Sequence, residues 1–229
     1  MPAGLRVIGD AGYTQIDENY RNQKLVYSGT FAASTSGSAL QFTGNLDLRK
    51  ECPLVFVRTT GWFGSFELVD WYGSPEYKQG TMLFQCTAAV DVAIFMAEGP
   101  ESGDTFGLRV WDAAGKQVYH SGNRYARIQA IPAINGSVTS GSASFTALGQ
   151  RPWMCANPLS TGLSAPLGSG SDLSYPPYCV YAACSDGLVQ YKFAENGRPQ
   201  DGPTSGSNVR LSPYNGRQLQ IPVALIPGL

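Results

Sequence analysis

Residues 106–123, FGLRVWDAAGKQVYHSGN, decide how this chain is read, because their first half is written a second time near residue 1. Gly107-Leu108-Arg109-Val110 is followed by Ala114-Gly115, and Gly4-Leu5-Arg6-Val7 is followed at the same spacing by Ala11-Gly12. In both copies Leu and Val alternate with Arg on a period of two, the repeat of a strand whose successive side chains point to opposite faces. That alternation predicts Leu108 and Val110 on one face and Arg109 and Trp111 on the other. The Asp-Ala-Ala-Gly cluster then supplies a glycine able to take positive φ where the chain reverses, and alternation resumes over Lys116–Tyr119. Each copy therefore predicts a β-hairpin. The pair predicts one all-β unit over 1–229 with two similarly begun halves, 1–98 and 99–229.

The same reading extends outward. After Pro53, the unbroken run Leu54-Val55-Phe56-Val57 predicts a strand covered on both faces. Met82–Met96 is the most apolar segment, with Val90, Val92, Ile94 and Met96 on one parity, so it reads as strands joined around Thr87-Ala88-Ala89, a single helix being the alternative. Gln85, Asp91 and the stop at Glu98-Gly99-Pro100 exclude a membrane span there. Asp186-Gly187 predicts a hairpin between Cys179–Ala183 and Leu188–Phe193. Asn215-Gly216 predicts another, followed by Leu219, Ile221, Val223 and Leu225 in alternation, where Pro222 points to an edge strand. Lys24–Tyr27, Phe66–Tyr72, Tyr125–Ile134 and Ser144–Leu148 read as further strands, Thr30–Asn45 as loop or weak edge, and Asn157–Pro177 as a long loop, either a contact surface or a floppy insertion. Short strands separated by regular turn clusters, without a helical pattern, describe a β-sandwich or jelly-roll-like fold.

Composition narrows the function. Charged residues make up 14 %, well under the roughly 25 % of ordinary soluble domains. A surface so poor in charge repels neighbours weakly, which suits packing into an assembly or contact with neutral glycans. Net charge is −1 with a pI of about 5.8, so no long-range field draws in phosphate and nucleic acid is not an expected partner. Met1-Pro2-Ala3-Gly4 leads straight into strand-like sequence without the apolar core of a signal peptide, which predicts manufacture in a cytoplasm. Five cysteines, an odd number, agree with thiols in a reducing compartment, and Cys179 and Cys184 lack zinc-site spacing, so buried structural thiols are expected.

Catalytic signals are sparse. His120 is the single histidine, and at the end of a strand it reads as a half-exposed structural residue. The nearest approach to a nucleophile elbow, Gly162-Leu163-Ser164-Ala165-Pro166, ends in proline instead of glycine. Phosphate-binding glycine motifs and metal-ligand clusters are absent, so no catalytic residue, cofactor or metal is expected. Paired carboxylates such as Glu67 and Asp70 would serve a glycan hydrolase, but with 17 acids some pair is always conceivable. Aromatic residues speak louder. Trp62, Phe63, Trp71, Tyr72 and Tyr77 fall within sixteen residues and are broken up by Gly and Pro, while Trp153, Tyr175 and Tyr178 bracket the long loop. They read either as interface and sugar-stacking platforms or, for Trp71 especially, as core.

With both hairpins in view, a likeness emerges. Gly4–Val7 with Ala11-Gly12, then QIDENYRN at 15–22 with Leu25-Val26, then GDTFGLRVWDAAGKQVYHSGNRYARI at 103–128, resemble a family of virion proteins encoded in the tail-gene region of tailed bacteriophages. Gly107, Leu108, Val110, Gly115, Val118, Tyr119 and Ser121 match the family pattern, and His120 stands where an acidic residue is usual. The likeness covers roughly residues 1–130; beyond it the chain matches only in being β-rich. It implies a minor tail or tail-tip component without catalytic residues, located in the virion and assembled with other tail proteins in copies set by the tail's rotational symmetry. The alternative expectation is a receptor-binding module that stacks host surface glycan on the same aromatics.

Overall fold

Strand-period sequence becomes paired strand throughout the computed structural model, which describes residues 6–8, 14–17, 22–41, 53–69, 81–97, 103–135, 140–159, 163–164, 177–195, 198–199 and 218–229. In chain order the first strands are β1 (Arg6–Ile8), β2 (Thr14–Asp17), β3 (Lys24–Phe31), β4 (Ser34–Gln41), β5 (Leu54–Thr59), β6 (Phe63–Val69), β7 (Thr81–Cys86), β8 (Val90–Met96), β9 (Arg109–Trp111) and β10 (Gln117–His120). There follow β11 (Arg127–Ala130), β12 (Ala133–Asn135), β13 (Ser140–Ser144), β14 (Trp153–Cys155), β15 (Leu163–Ser164), β16 (Pro177–Ser185), β17 (Leu188–Glu195), β18 (Arg198–Pro199), β19 (Gln218–Gln220) and β20 (Val223–Leu225). A single turn of 3-10 helix at Asn157–Leu159 is the one helical element among the described residues. The run from Met82 to Met96 is thus two strands and not a helix.

Two antiparallel sheets form the body. One has six strands in the order β11-β20-β14-β5-β8-β3. The other has eight, built on β13-β17-β16-β6-β7-β4 with β15 beside β16 and β18 beside β17. Each sheet takes strands from both sides of residue 98. The main core lies where Val55, Val57, Val90, Val92, Ile94, Met96, Met154 and Val223 of the six-stranded sheet meet Phe63, Phe84, Val180, Ala182, Val189 and Tyr191 of the other. The opposite parity, Phe56, Ala93, Phe95, Trp153, Cys155 and Ala224, forms a second cluster closed by Leu25, Ile128 and Leu229. The central strands β5, β8, β14 and β20 therefore carry buried apolar side chains on both faces, while β3 and β11 at the sheet's edges are partly exposed. Each large side chain so enclosed contributes about 1.5–3 kcal/mol relative to exposure.

The repeated segment forms the two hairpins that the sequence predicts, and each is a separate two-stranded sheet. Arg6 pairs with Asp17, Val7 with Ile16 and Ile8 with Thr14; Arg109 pairs with His120, Val110 with Tyr119 and Trp111 with Gln117. Every pair in the second hairpin is the matching pair of the first displaced by 103 residues, and the bulge falls at the same step. In the second hairpin Asp112 Oδ1 accepts from the N–H groups of Ala114 (2.9 Å) and Lys116 (2.8 Å), and Gly115 sits at φ 78°. The left-handed conformation is what the turn asks of that glycine.

Three expectations are corrected. β20 is not an edge strand: it lies between β11 and β14. Pro222 is accommodated because it sits at the joint where the chain leaves the β12–β19 pair and enters the larger sheet, and its carbonyl accepts from Cys155 N at 2.8 Å. The strand anticipated at Ser144–Leu148 is instead Ser140–Ser144, a Ser/Gly-rich segment held by pairing along β17. Leu108 precedes β9 and does not share the buried face of Val110, which packs with Val118 and Tyr119. The turn at Asn215-Gly216, residues 70–72 and most of the 157–177 loop lie outside the described residues.

Candidate functional site

Trp62 lies in the turn between β5 and β6, half-buried against Tyr181 on the outer face of the eight-stranded sheet. Its backbone N–H donates to Thr87 Oγ1 at 2.8 Å, which ties this turn to the one between β7 and β8. Lys192 Nζ stands 4.1 Å from the centre of the indole ring, so a cation already occupies that ring face. Tyr181 in turn crosses Gly64, where a Cβ would come within 2.7 Å of the phenol ring, and its hydroxyl bonds to Gln85 Oε1.

Phe63 and Trp153 are not platforms. Phe63 points the other way from Trp62, into the main core, stacked on Phe84 at 5.8 Å between ring centres. The glycines that flank it signal close packing rather than exposure. Trp153 is 2 % exposed beneath the Arg58 guanidinium, 4.5 Å from its ring centre, and its indole N–H finds no acceptor among the described residues. Trp71, Tyr72, Tyr77 and Tyr175 fall outside the described residues; Tyr178 contributes backbone pairing to β16, opposite Glu195 and Leu163. The described aromatics therefore do not gather into one surface.

The most exposed large apolar side chains among the described residues lie in the second hairpin and just before it. Phe106 is 88 % exposed, Leu108 51 % and Trp111 50 %. Their base is firm. Leu108 N donates to Ser121 Oγ (3.0 Å), Ser121 N to Leu108 O (2.9 Å), Asn22 N to Val118 O (3.1 Å) and Leu25 N to Arg124 O (2.8 Å). Tyr125 stacks on Tyr119 at 5.0 Å, and its hydroxyl both accepts from His120 N and donates to His120 O. Alternation separated Trp111 from Val110 but put Leu108 with Val110, since a residue before the strand need not obey the strand's period.

His120 is buried, 1 % exposed, where the sequence led us to expect a half-exposed residue. Neither ring nitrogen has a hydrogen-bond partner among the described residues. His120 ends β10 opposite Arg109, and a Cβ added to Gly107 would lie 3.7 Å from its Nε2. Cys86, Cys155 and Cys184 are free thiols, all buried. Burial pushes the Cys86 thiol up, partly offset by a hydrogen bond from the Ser34 backbone. It pushes Cys184 up to about 12, with Arg151 pulling down and Asp186 pushing up. Such thiols are poor nucleophiles. Among the described residues no three His, Cys, Asp or Glu side chains come together as a metal site.

Set against protein-family models, curated proteins and solved structures, the chain matches none of them.

Proposed function

We propose that the chain is a non-enzymatic structural subunit of a bacteriophage tail, at the tip, baseplate or fibre-attachment region, working by protein–protein assembly in symmetric copies within the virion. The observation that carries this reading is the second hairpin. It stands outside both main sheets, is pinned to the chain around Asn22 and Leu25, and turns Phe106, Leu108 and Trp111 to solvent. Aromatic and aliphatic side chains of that size, carried on a hydrogen-bonded backbone, are the stuff of interface cores, because they bury much area at little entropy loss. The same segment carries the family likeness, so its partner is a neighbouring virion protein. Glycan stacking on Trp62 is less favoured, since a sugar ring on the Lys192 side would have to displace an ammonium.

The test is made on particles. Purified phage should contain this chain at fixed stoichiometry, and a Phe106→Ser/Trp111→Ser variant, folded by circular dichroism, should be left out of them. A chain absent from particles, or a double variant incorporated as well as the parent, overturns the reading.

A further inference from the structure

The turns joining β5 to β6 and β7 to β8 meet at one end of the two-sheet body, where Thr59 Oγ1 donates to Ala89 O at 2.8 Å and accepts from Gly61 N at 3.1 Å. With the segment between β13 and β14 they enclose an open cleft of about 470 Å³, lined by Arg58, Thr59, Thr60, Ala89, Asp91, Gln150 and Arg151. That volume lies in the range of small-molecule sites, roughly 300–1,000 Å³.

The two arginines differ in what they have left to give. Arg58 Nε and Nη2 both donate to Asp91 Oδ2, at 3.1 and 3.0 Å, and Nη1 donates to the Leu229 main-chain oxygen at 3.2 Å. Thr30 Oγ1 takes the other Asp91 oxygen at 2.7 Å. With Trp153 beneath it, this guanidinium is fixed and its charge is answered. Arg151 is the opposite case. It is exposed, and no carboxylate of the described residues lies within ion-pair distance of it. Its stretch of chain is nonetheless anchored, because the two Asp186 carboxylate oxygens accept from Leu148 N (2.6 Å) and Gly149 N (2.9 Å). Beside it, the Thr60 hydroxyl and the Gln150 amide are exposed to the cleft with no hydrogen bond to the described residues.

One guanidinium without an ion pair among the described residues is too little for a polyphosphate or nucleic acid, and a lining of hydroxyl, amide and ion pair is too polar for an apolar ligand. It suits one carboxylate carried on a polyhydroxylated ring: the arginine fork meets the carboxylate with two parallel hydrogen bonds, and neutral polar groups meet the ring hydroxyls. We infer that this cleft binds an acidic sugar residue, a hexuronic or sialic acid, with Arg151 on the carboxylate and Thr60 and Gln150 on ring hydroxyls. The site is distinct from the hairpin, and assembly through Phe106 and Trp111 stands or falls separately.

Titration of the full chain with sodium glucuronate, N-acetylneuraminate, methyl glucoside and sodium phosphate, followed by calorimetry or ligand-observed NMR, tests it. Both acidic sugars should bind, and methyl glucoside and phosphate should be at least ~10-fold weaker, a factor that corresponds to ~1.4 kcal/mol. Arg151→Gln should weaken the acidic sugars by at least ~10-fold and Arg151→Lys by less, since lysine keeps the charge but loses the fork. Thr60→Ala gives a second variant with a smaller loss. Absence of acidic-sugar binding, equal binding of the neutral sugar, preference for phosphate, or binding untouched in Arg151→Gln would each overturn the assignment.

Discussion

His120 holds in the second hairpin the place that Asp17 holds in the first: each is paired with the arginine that opens the hairpin, Arg109 and Arg6, at the same register and beside the same bulge. The position is set by backbone pairing, and two chemically unlike side chains serve there. At His120 both ring nitrogens are buried without partners among the described residues, so the imidazole acts by its shape. Replacing a polar group that makes no hydrogen bond with an apolar one of similar size is close to neutral. His120→Leu should therefore unfold in urea within about 1 kcal/mol of the parent. A loss well beyond that would mean the ring nitrogens are bonded after all.

Cys184 gives the stability a sign in alkali. Its thiol stays protonated in the folded chain up to about 12, against an ordinary value of 9.0, because burial disfavours the thiolate. Between those values the unfolded chain has released a proton that the folded chain keeps. Stability then falls as pH rises, by up to about 1.4 kcal/mol per pH unit for one group. The measurement is the urea midpoint at pH 9, 10 and 11 for the parent and for Cys184→Ala, and the variant should show the shallower decline. Parallel slopes would remove Cys184 as the cause.

Gly64 is a packing position. A methyl group there would meet both the Tyr181 ring and the Val180 carbonyl at 2.7 Å, and a backbone oxygen cannot swing aside. Gly64→Ala should destabilise by about 1–3 kcal/mol, read as a lower thermal midpoint with an unchanged far-ultraviolet spectrum.

Arg58 and Asp91 are each about a third exposed, so solvent screens their attraction even with two N–H groups on one oxygen. A double-mutant cycle of Arg58→Gln and Asp91→Asn should give a coupling of about 0.5–1 kcal/mol. Arg58→Gln alone should cost more than Asp91→Asn, because it also uncovers Trp153. Equal single-mutant losses would show that the stack contributes nothing.

Strand identity was legible where apolar residues kept a long strict period: Val90, Val92, Ile94 and Met96 face the main core, and Asp186-Gly187 makes its hairpin, whereas the short Leu108–Val110 alternation overran its strand. Partner choice was not. Ser140–Ser144 has weak strand propensity and is a strand because Leu188–Lys192 lies beside it, a tertiary effect that no local window contains. For the candidate sites, counting aromatics picked out Trp62, Phe63 and Trp153 but misjudged which faced outward, since the glycine at 64 makes room for Tyr181 and not for a ligand. Arg58 and Arg151 lie far apart in the chain and meet only because turns from both sheets converge, so no motif could announce their cleft.

The placement of β20 has a consequence for how the molecule comes into being. It follows every other strand of its sheet in sequence, yet it is the piece that joins β11 to β14. On a ribosome that sheet must wait, with two open seams, until residues 223–225 emerge. Such a chain gains its cooperativity late and folds slowly for its size, and in the interval it is most exposed to sticking to its own kind.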